Sequence, residues 1–205
     1  MKGKLIIIGT GGHSKVVLDI ARRNGYSDIS FLGDKPQGEN WCGYPILGRC
    51  LDAWRYADAE FVVAVGKNEA RKQIQESLVA QGLQIVTLIH PNAVVAEATV
   101  IGEGSVIVAG AVINPGAVLG KGVIVNTCAS VDHDCRIGDY VHVAVGANIA
   151  GTVTIGDCTW IGAGAVVSNN ISITAGCMIG AGAVVVKNIG ESGTYIGVPA
   201  KKMMI

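Results

Sequence analysis

Val95, Ile101, Ile107, Ile113, Leu119, Val125, Val131, Ile137, Val143, Ile149, Ile155, Ile161, Val167, Ile173, Ile179 and Val185 fall six residues apart without a slip. Four residues after each aliphatic comes a small or β-branched residue, as in Ala111, Ala117, Ala129, Cys135, Ala147 and Cys177. Glycine often follows the aliphatic directly (Gly102, Gly120, Gly138, Gly156, Gly162, Gly180), where a tight bend or close backbone approach is needed. A period of six suits neither a helix nor a free hairpin. It predicts a parallel β-helix whose short strands stack coil upon coil and bury one aliphatic column per face. Three hexads make one triangular coil, so residues eighteen apart stack vertically. Five such coils rise roughly 25 Å at ordinary strand spacing. An alternating-strand sandwich would not hold this phase.

Composition agrees. Hydrophobic residues make up 50% of the 205, yet aromatics only 5%, as a narrow prism filled with Val, Ile and Ala requires. Lys plus Arg equal Asp plus Glu, which gives no electrostatic reason to bind nucleic acid or an acidic membrane. The first apolar run, residues 5–8, is too short for a signal peptide or a membrane span, so a cytoplasmic protein is expected. The six cysteines form no CxxC pair, and Cys135 and Cys177 fall in the small interior column. They read as structural, reduced small hydrophobes.

Residues 1–90 obey other rules. A buried-strand run (KLIIIG, residues 4–9) leads through Thr10-Gly11-Gly12-His13 into a helical stretch, residues 14–24, ended by Gly25. Residues 29–32 read as a second strand and residues 61–66 as a third. A polar helix follows over 69–80, closed by Gly82, then a fourth strand over 85–89. Alternating strands and helices predict a small α/β unit with a parallel sheet. His90-Pro91-Asn92 punctuates the junction, which divides the chain into an α/β domain, 1–90, and a repeat domain, 91–205.

Gly9, Gly11 and Gly12 lie between strand and helix, where backbone N–H groups can cradle a phosphate. The dinucleotide pattern GxGxxG is only partly met, since Ser14 stands at its third glycine. Asp34, just past the second strand, occupies the usual place of a ribose-contacting acid. These glycines also suit a plain turn, and His13 fits either a phosphate contact or a helix cap.

The repeat contains two histidines, His133 and His142. His133 sits beside Asp132 and Asp134 at hexad positions that turn a corner and point away from the aliphatic column. An imidazole beside a carboxylate is a ready general base, because the acid selects the tautomer and raises basicity. Either aspartate could orient the ring, and a solvated surface histidine has the same pattern. Asn126 could hold a polar substrate group or satisfy a turn. Gly162-Ala163 and Gly180-Ala181, eighteen apart, stack on one edge, where small residues would let an extended thiol cofactor lie along the coil. Two histidines do not make a three-histidine zinc site, so no metal is expected.

The strand–GTGGH–helix opening, LIHPNAVV, NTCASVDHDC, IGDYVHVAVGANIAG and YIGVPAKKM span the chain. Together they resemble the NeuD/PglD-like family of sialic acid O-acetyltransferases and bacillosamine-pathway sugar N-acetyltransferases. The resemblance implies a Rossmann-like α/β domain followed by a left-handed parallel β-helix; the handedness comes from the family. It implies acetyl transfer from acetyl-CoA to the 4-amino group of a nucleotide-linked amino-dideoxy sugar, expected to carry UDP. It further implies a homotrimer with active sites between subunits. By matching positions, His133 is the general base and Asp134 its acidic partner. Gly11, Gly12, His13, Asp34 and Gly66 match nucleotide-sugar contacts, Asn126 lies near the acceptor, and His142, Ala163 and Ala181 match acetyl-CoA contacts. Several relatives carry Glu where this chain has Asp134. Two alternatives stand beside this reading: a sugar hydroxyl as acceptor, as in sialic acid O-acetylation, and a non-catalytic nucleotide-binding trimer.

Overall fold

The computed structural model describes residues 2–203, which form two compact units divided after Pro91. In the first unit, β1 (Leu5–Ile8) pairs in parallel with both β2 (Ile29–Leu32) and β5 (Glu60–Val63). The hairpin β3 (Asn40–Trp41) and β4 (Tyr44–Gly48) extends the sheet beyond β2, and β6 (Gln84–Ile85) extends it beyond β5. The strand order is thus β3-β4-β2-β1-β5-β6. All four residues of β1 and of β2 are buried, which explains their unbroken apolar runs. Helix α1 (Gly12–Arg23) turns Val17, Leu18, Ile20 and Ala21 inward, and α2 (Asn68–Ala80) buries Leu78 in the cluster containing Ile6, Ile8, Phe61 and Val63.

Two local expectations change, and residues 40–56 form elements for which none was stated. Helix α1 begins at Gly12, so Gly12 and His13 belong to its first turn. The strand expected over 85–89 is broken into β6 and a separate two-residue strand, Leu88–Ile89. The β3–β4 hairpin and the 3-10 helix Cys50–Tyr56 carry no hydrophobic period that would announce them.

In the second unit each hexad contributes one two-residue strand whose second residue is the column aliphatic, from Val94–Val95 to Val184–Val185. Every third strand pairs in parallel with a shift of eighteen, as in Val106↔Ile124, Ser130↔Asn148 and Arg136↔Thr154. Three parallel sheets result, one per face of the prism. From Ile107 onward the column aliphatics are buried, each contributing roughly 1.5–3 kcal/mol of transfer free energy. The small column is buried alongside, and its polar members are satisfied. Ser105 Oγ donates to Gly120 O and accepts from Val123 N, and Thr159 Oγ1 does the same with Thr174 O and Cys177 N.

The corners turn at a position the hexad pattern does not mark. From Gly104 to Gly182 every sixth residue is left-handed: eight glycines, plus Cys128, Asp134, Tyr140, Thr152, Cys158 and Asn170. The glycines directly after the aliphatic have another task. A Cβ on Gly102 would overlap the Gly120 backbone, and one on Gly156 would overlap Ala175 N, so these glycines permit close approach of successive coils. After the last hexads the eighteen-residue shift ends. Met178 pairs with Thr194, and Thr194–Ile196 then pairs antiparallel with Lys201–Lys202. Ile161 is fully buried in the column, so Ile161→Ala is expected to cost about 2–5 kcal/mol in a urea or thermal melt, with helix content unchanged.

Candidate active site

In the first unit, the carboxyl ends of β1 and β5 open onto a cavity of about 350 Å³ lined by Gly9, Thr10, Gly11, Gly12, His13, Asp34, Ala64, Val65 and Gly66. The neighbours of β1 lead away in opposite directions here, which is where open α/β sheets bind ligands. All five nucleotide-sugar candidates of this unit therefore line one cavity. Gly11, the N-cap of α1, supplies no side-chain cap, and the first turn holds no acid, so the helix N-terminus favours an anion. Burial, then the nearby Arg71 charge, pushes His13 down to about 4, and the imidazole is neutral at physiological pH.

Arg71 is the residue that sequence reasoning missed. It is fully buried, and Nη1 donates to the carbonyls of Val65 (3.1 Å) and Gly66 (2.9 Å), both in the cavity wall. Nη2 donates to Asn68 Oδ1 at 3.0 Å. A cation on a polar helix reads from sequence as solvated.

In the second unit, His133 and Asp134 occupy the edge after Val131. Asp134 is left-handed (φ 58), which swings its carboxylate back to the ring, and Oδ2 lies 2.9 Å from His133 Nδ1. The shorter acid thus reaches. Asp132 is committed elsewhere: its Oδ1 accepts from His133 N and from Asn114 Nδ2, both at 2.7 Å, which lowers its pKa, the Asn114 bond foremost. The hydrogen bond to Asp134 is the main reason the His133 pKa is raised. Both side chains are more than half exposed, accessible to a substrate. The ring lies against Gly151 on the next coil, where a Cβ would collide with Nε2 and Cε1. Gly116 on the preceding coil leaves similar room for the Asp134 carboxylate.

The remaining candidates gather elsewhere. Asn126 Nδ2 lies 3.1 Å from His142 Nε2, and the buried His142 ring packs on Trp160 with centroids 4.1 Å apart. Asn126, Gly162-Ala163 and Gly180-Ala181 follow Val125, Ile161 and Ile179, so they share the edge beside the His142 face. His133 follows a strand of the next sheet and occupies a different edge. One copy of the prism does not bring His133 and the small-residue edge together. Among the described residues, no group of three His, Cys, Asp or Glu is arranged to hold a metal ion, and no helix is long and apolar enough to cross a membrane.

Comparison with known proteins places this geometry in context. The profile described as PglD N-terminal domain matches residues 4–78, and that of the bacterial transferase hexapeptide (six repeats) matches residues 152–187. GDP-perosamine N-acetyltransferase of Escherichia coli O157:H7 is 32% identical over 154 residues, which cover 72% of this chain and 70% of that protein. The chain belongs to the NeuD/PglD-like family of acetyl-CoA-dependent nucleotide-sugar acetyltransferases. UDP-N-acetylbacillosamine N-acetyltransferase of Bacillus subtilis is 38% identical over 106 residues, 48% of each chain. The acetyltransferase domain of PglB from Neisseria gonorrhoeae FA1090, in complex with acetyl coenzyme A, superposes with a TM-score of 0.93 at 43% identity, covering 98% of both chains. A histidine variant of perosamine N-acetyltransferase from Caulobacter crescentus, in complex with CoA and GDP-perosamine, gives 0.95 at 34%, covering 100% of this chain and 99% of that one. The fold is accordingly an α/β unit followed by a left-handed parallel β-helix.

Two outcomes follow for the pair on the exposed edge. The resemblance implies that His133 is a general base, which works deprotonated; Asp134 raises its pKa, so on that expectation Asp134→Asn shifts the acid limb of kcat/KM to lower pH while its plateau falls. Gly151→Ala, which displaces the ring without straining the backbone, should lower kcat roughly a hundredfold in the same assay.

Proposed function

We propose that this chain transfers the acetyl group of acetyl-CoA to the 4-amino group of a UDP-linked amino-dideoxy sugar. The observation that carries the reading is the His133–Asp134 pair, 2.9 Å apart on an exposed edge of an acetyltransferase β-helix. The cavity at the N-terminus of α1 holds the diphosphate: backbone N–H groups around Gly11 and Gly12 face its oxygens, and Asp34 takes a ribose hydroxyl. Neutral His13 serves there as a hydrogen-bonding group rather than a countercharge.

The unprotonated amine attacks the thioester carbonyl. As the C–N bond forms, His133 Nε2 takes the amine proton, and Asp134 stabilises the imidazolium through Nδ1. The Gly151 N–H steadies the tetrahedral oxyanion. Collapse breaks the C–S bond, and the CoA thiolate leaves, taking the proton from His133. No covalent acyl-enzyme forms, and the buried thiols of Cys135 and Cys177, both pushed up by burial, have no part in it. His142, Ala163 and Ala181 hold acetyl-CoA. Because their edge is not that of His133, the working unit in this reading is a homotrimer whose neighbouring prisms each supply part of a site. We assign the reaction to the cytoplasm, where acetyl-CoA and nucleotide sugars are made.

Thiol release from acetyl-CoA tests this, with UDP- and GDP-linked 4-amino-4,6-dideoxyhexoses as acceptors for wild type and His133→Ala. Loss of at least about a hundredfold in kcat with acetyl-CoA affinity unchanged is expected. Full activity in the variant refutes the base. Release with the GDP sugar alone changes the nucleotide, and acetylation of a sialic acid hydroxyl with neither amine consumed replaces the acceptor.

A further inference from the structure

Ser14, the residue that breaks the glycine pattern, is fully buried, and its hydroxyl is tied to the turn in front of it. Ser14 Oγ donates to the Gly11 carbonyl at 2.7 Å and lies 2.9 Å from Trp41 Nε1. An indole nitrogen can only donate, so Oγ accepts from Trp41 and its own proton goes to Gly11. The indole is itself held. Lys35 Nζ lies 4.7 Å and Lys15 Nζ 5.2 Å from its ring centroid, the first from the residue after Asp34 and the second from α1. A trans peptide points its C=O and the following N–H in opposite directions. With the Gly11 carbonyl drawn towards Ser14, the Gly12 N–H is turned out of the helix N-terminus, and both glycines line the cavity. Neither position needs glycine for the chain's own sake. A Cβ on either would meet nothing within 4 Å, and the extended backbone of Gly11 is open to any residue. A side chain there would obstruct only what approaches these N–H groups.

We propose that Ser14 is a positioning residue for the diphosphate: set by Trp41, its hydroxyl locks the Gly11–Gly12 peptide so that the Gly12 N–H donates to a phosphate oxygen. This rests on the nucleotide-sugar role proposed above for the cavity. It gives the serine a task of its own where the dinucleotide pattern has a glycine. It also draws the β3–β4 hairpin into the site, because Trp41 is the second residue of β3. Neither side chain touches the substrate; both act through one carbonyl.

The test is titration of the intact protein with UDP and GDP, and with the nucleoside of whichever one wild type binds. Ser14→Ala should bind that diphosphate roughly tenfold more weakly, the worth of one hydrogen bond. It should bind the nucleoside, which lacks the phosphates, as wild type does. Trp41→Phe removes the N–H, keeps a ring for both lysines, and should lose less in the same direction because the hydroxyl remains. It carries the test alone if Ser14→Ala does not fold. Since both act through one hydroxyl, the double variant should bind no more weakly than Ser14→Ala. Unchanged diphosphate binding in the single variants overturns the proposal. So does equal weakening of diphosphate and nucleoside, or losses that add in the double variant. Should wild type bind neither UDP nor GDP, the nucleotide-sugar reading of the cavity falls, and the proposal with it.

Discussion

Parallel pairing with a constant shift of eighteen is the constraint on which the second unit depends. Each strand is two residues long, far too short to persist alone. It survives because the backbone bonds of each coil go to the next, as in Val118 N to Cys135 O and Arg136 N to Val153 O. The shift holds only if every corner consumes the same number of residues. The left-handed position repeated from Gly104 to Gly182 keeps that count, and the chemistry of the edges is built on it.

Asp134 shows how a structural position lends itself to the proposed chemistry. Its left-handed backbone belongs to the corner series, and Asp tolerates that conformation better than most side chains with a Cβ. The same turn aims its carboxylate at the neighbouring ring. Coils before and after contribute glycines, Gly116 and Gly151, where any larger residue would push one partner of the pair aside. The dyad is local in sequence, yet its geometry is set by residues about eighteen positions away in each direction.

Much of this was legible in the sequence. The sixteen aliphatics gave the coils and their phase, and the GTGGH opening and NTCASVDHDC pointed to the residues that line the cavity and occupy the edge. What stayed hidden depends on backbone dihedrals or long-range packing. The resemblance singled out Asp134 over Asp132, and the physical reason, its left-handed φ, is visible only in the structure. Gly102 and Gly156 were visible as glycines, but whether they turn the chain or admit a neighbour depends on the adjacent coil. Arg71 sits among polar helix residues and is recognised only by its burial against the Val65 and Gly66 carbonyls. The β3–β4 hairpin, with Pro45 in its second strand, gave no alternation to read.

The C-terminal hairpin has a consequence for assembly. A stack of parallel coils ends in a rank of unpaired backbone groups, a template on which another prism could add and then another, end to end, into a fibre. Here the terminal coil of the His142 face receives Thr194–Ile196, and Lys201–Lys202 then covers that strand antiparallel. The reversal of direction removes the parallel template, and two exposed cations guard the new edge. On this face, end-to-end addition of a second prism is thereby blocked.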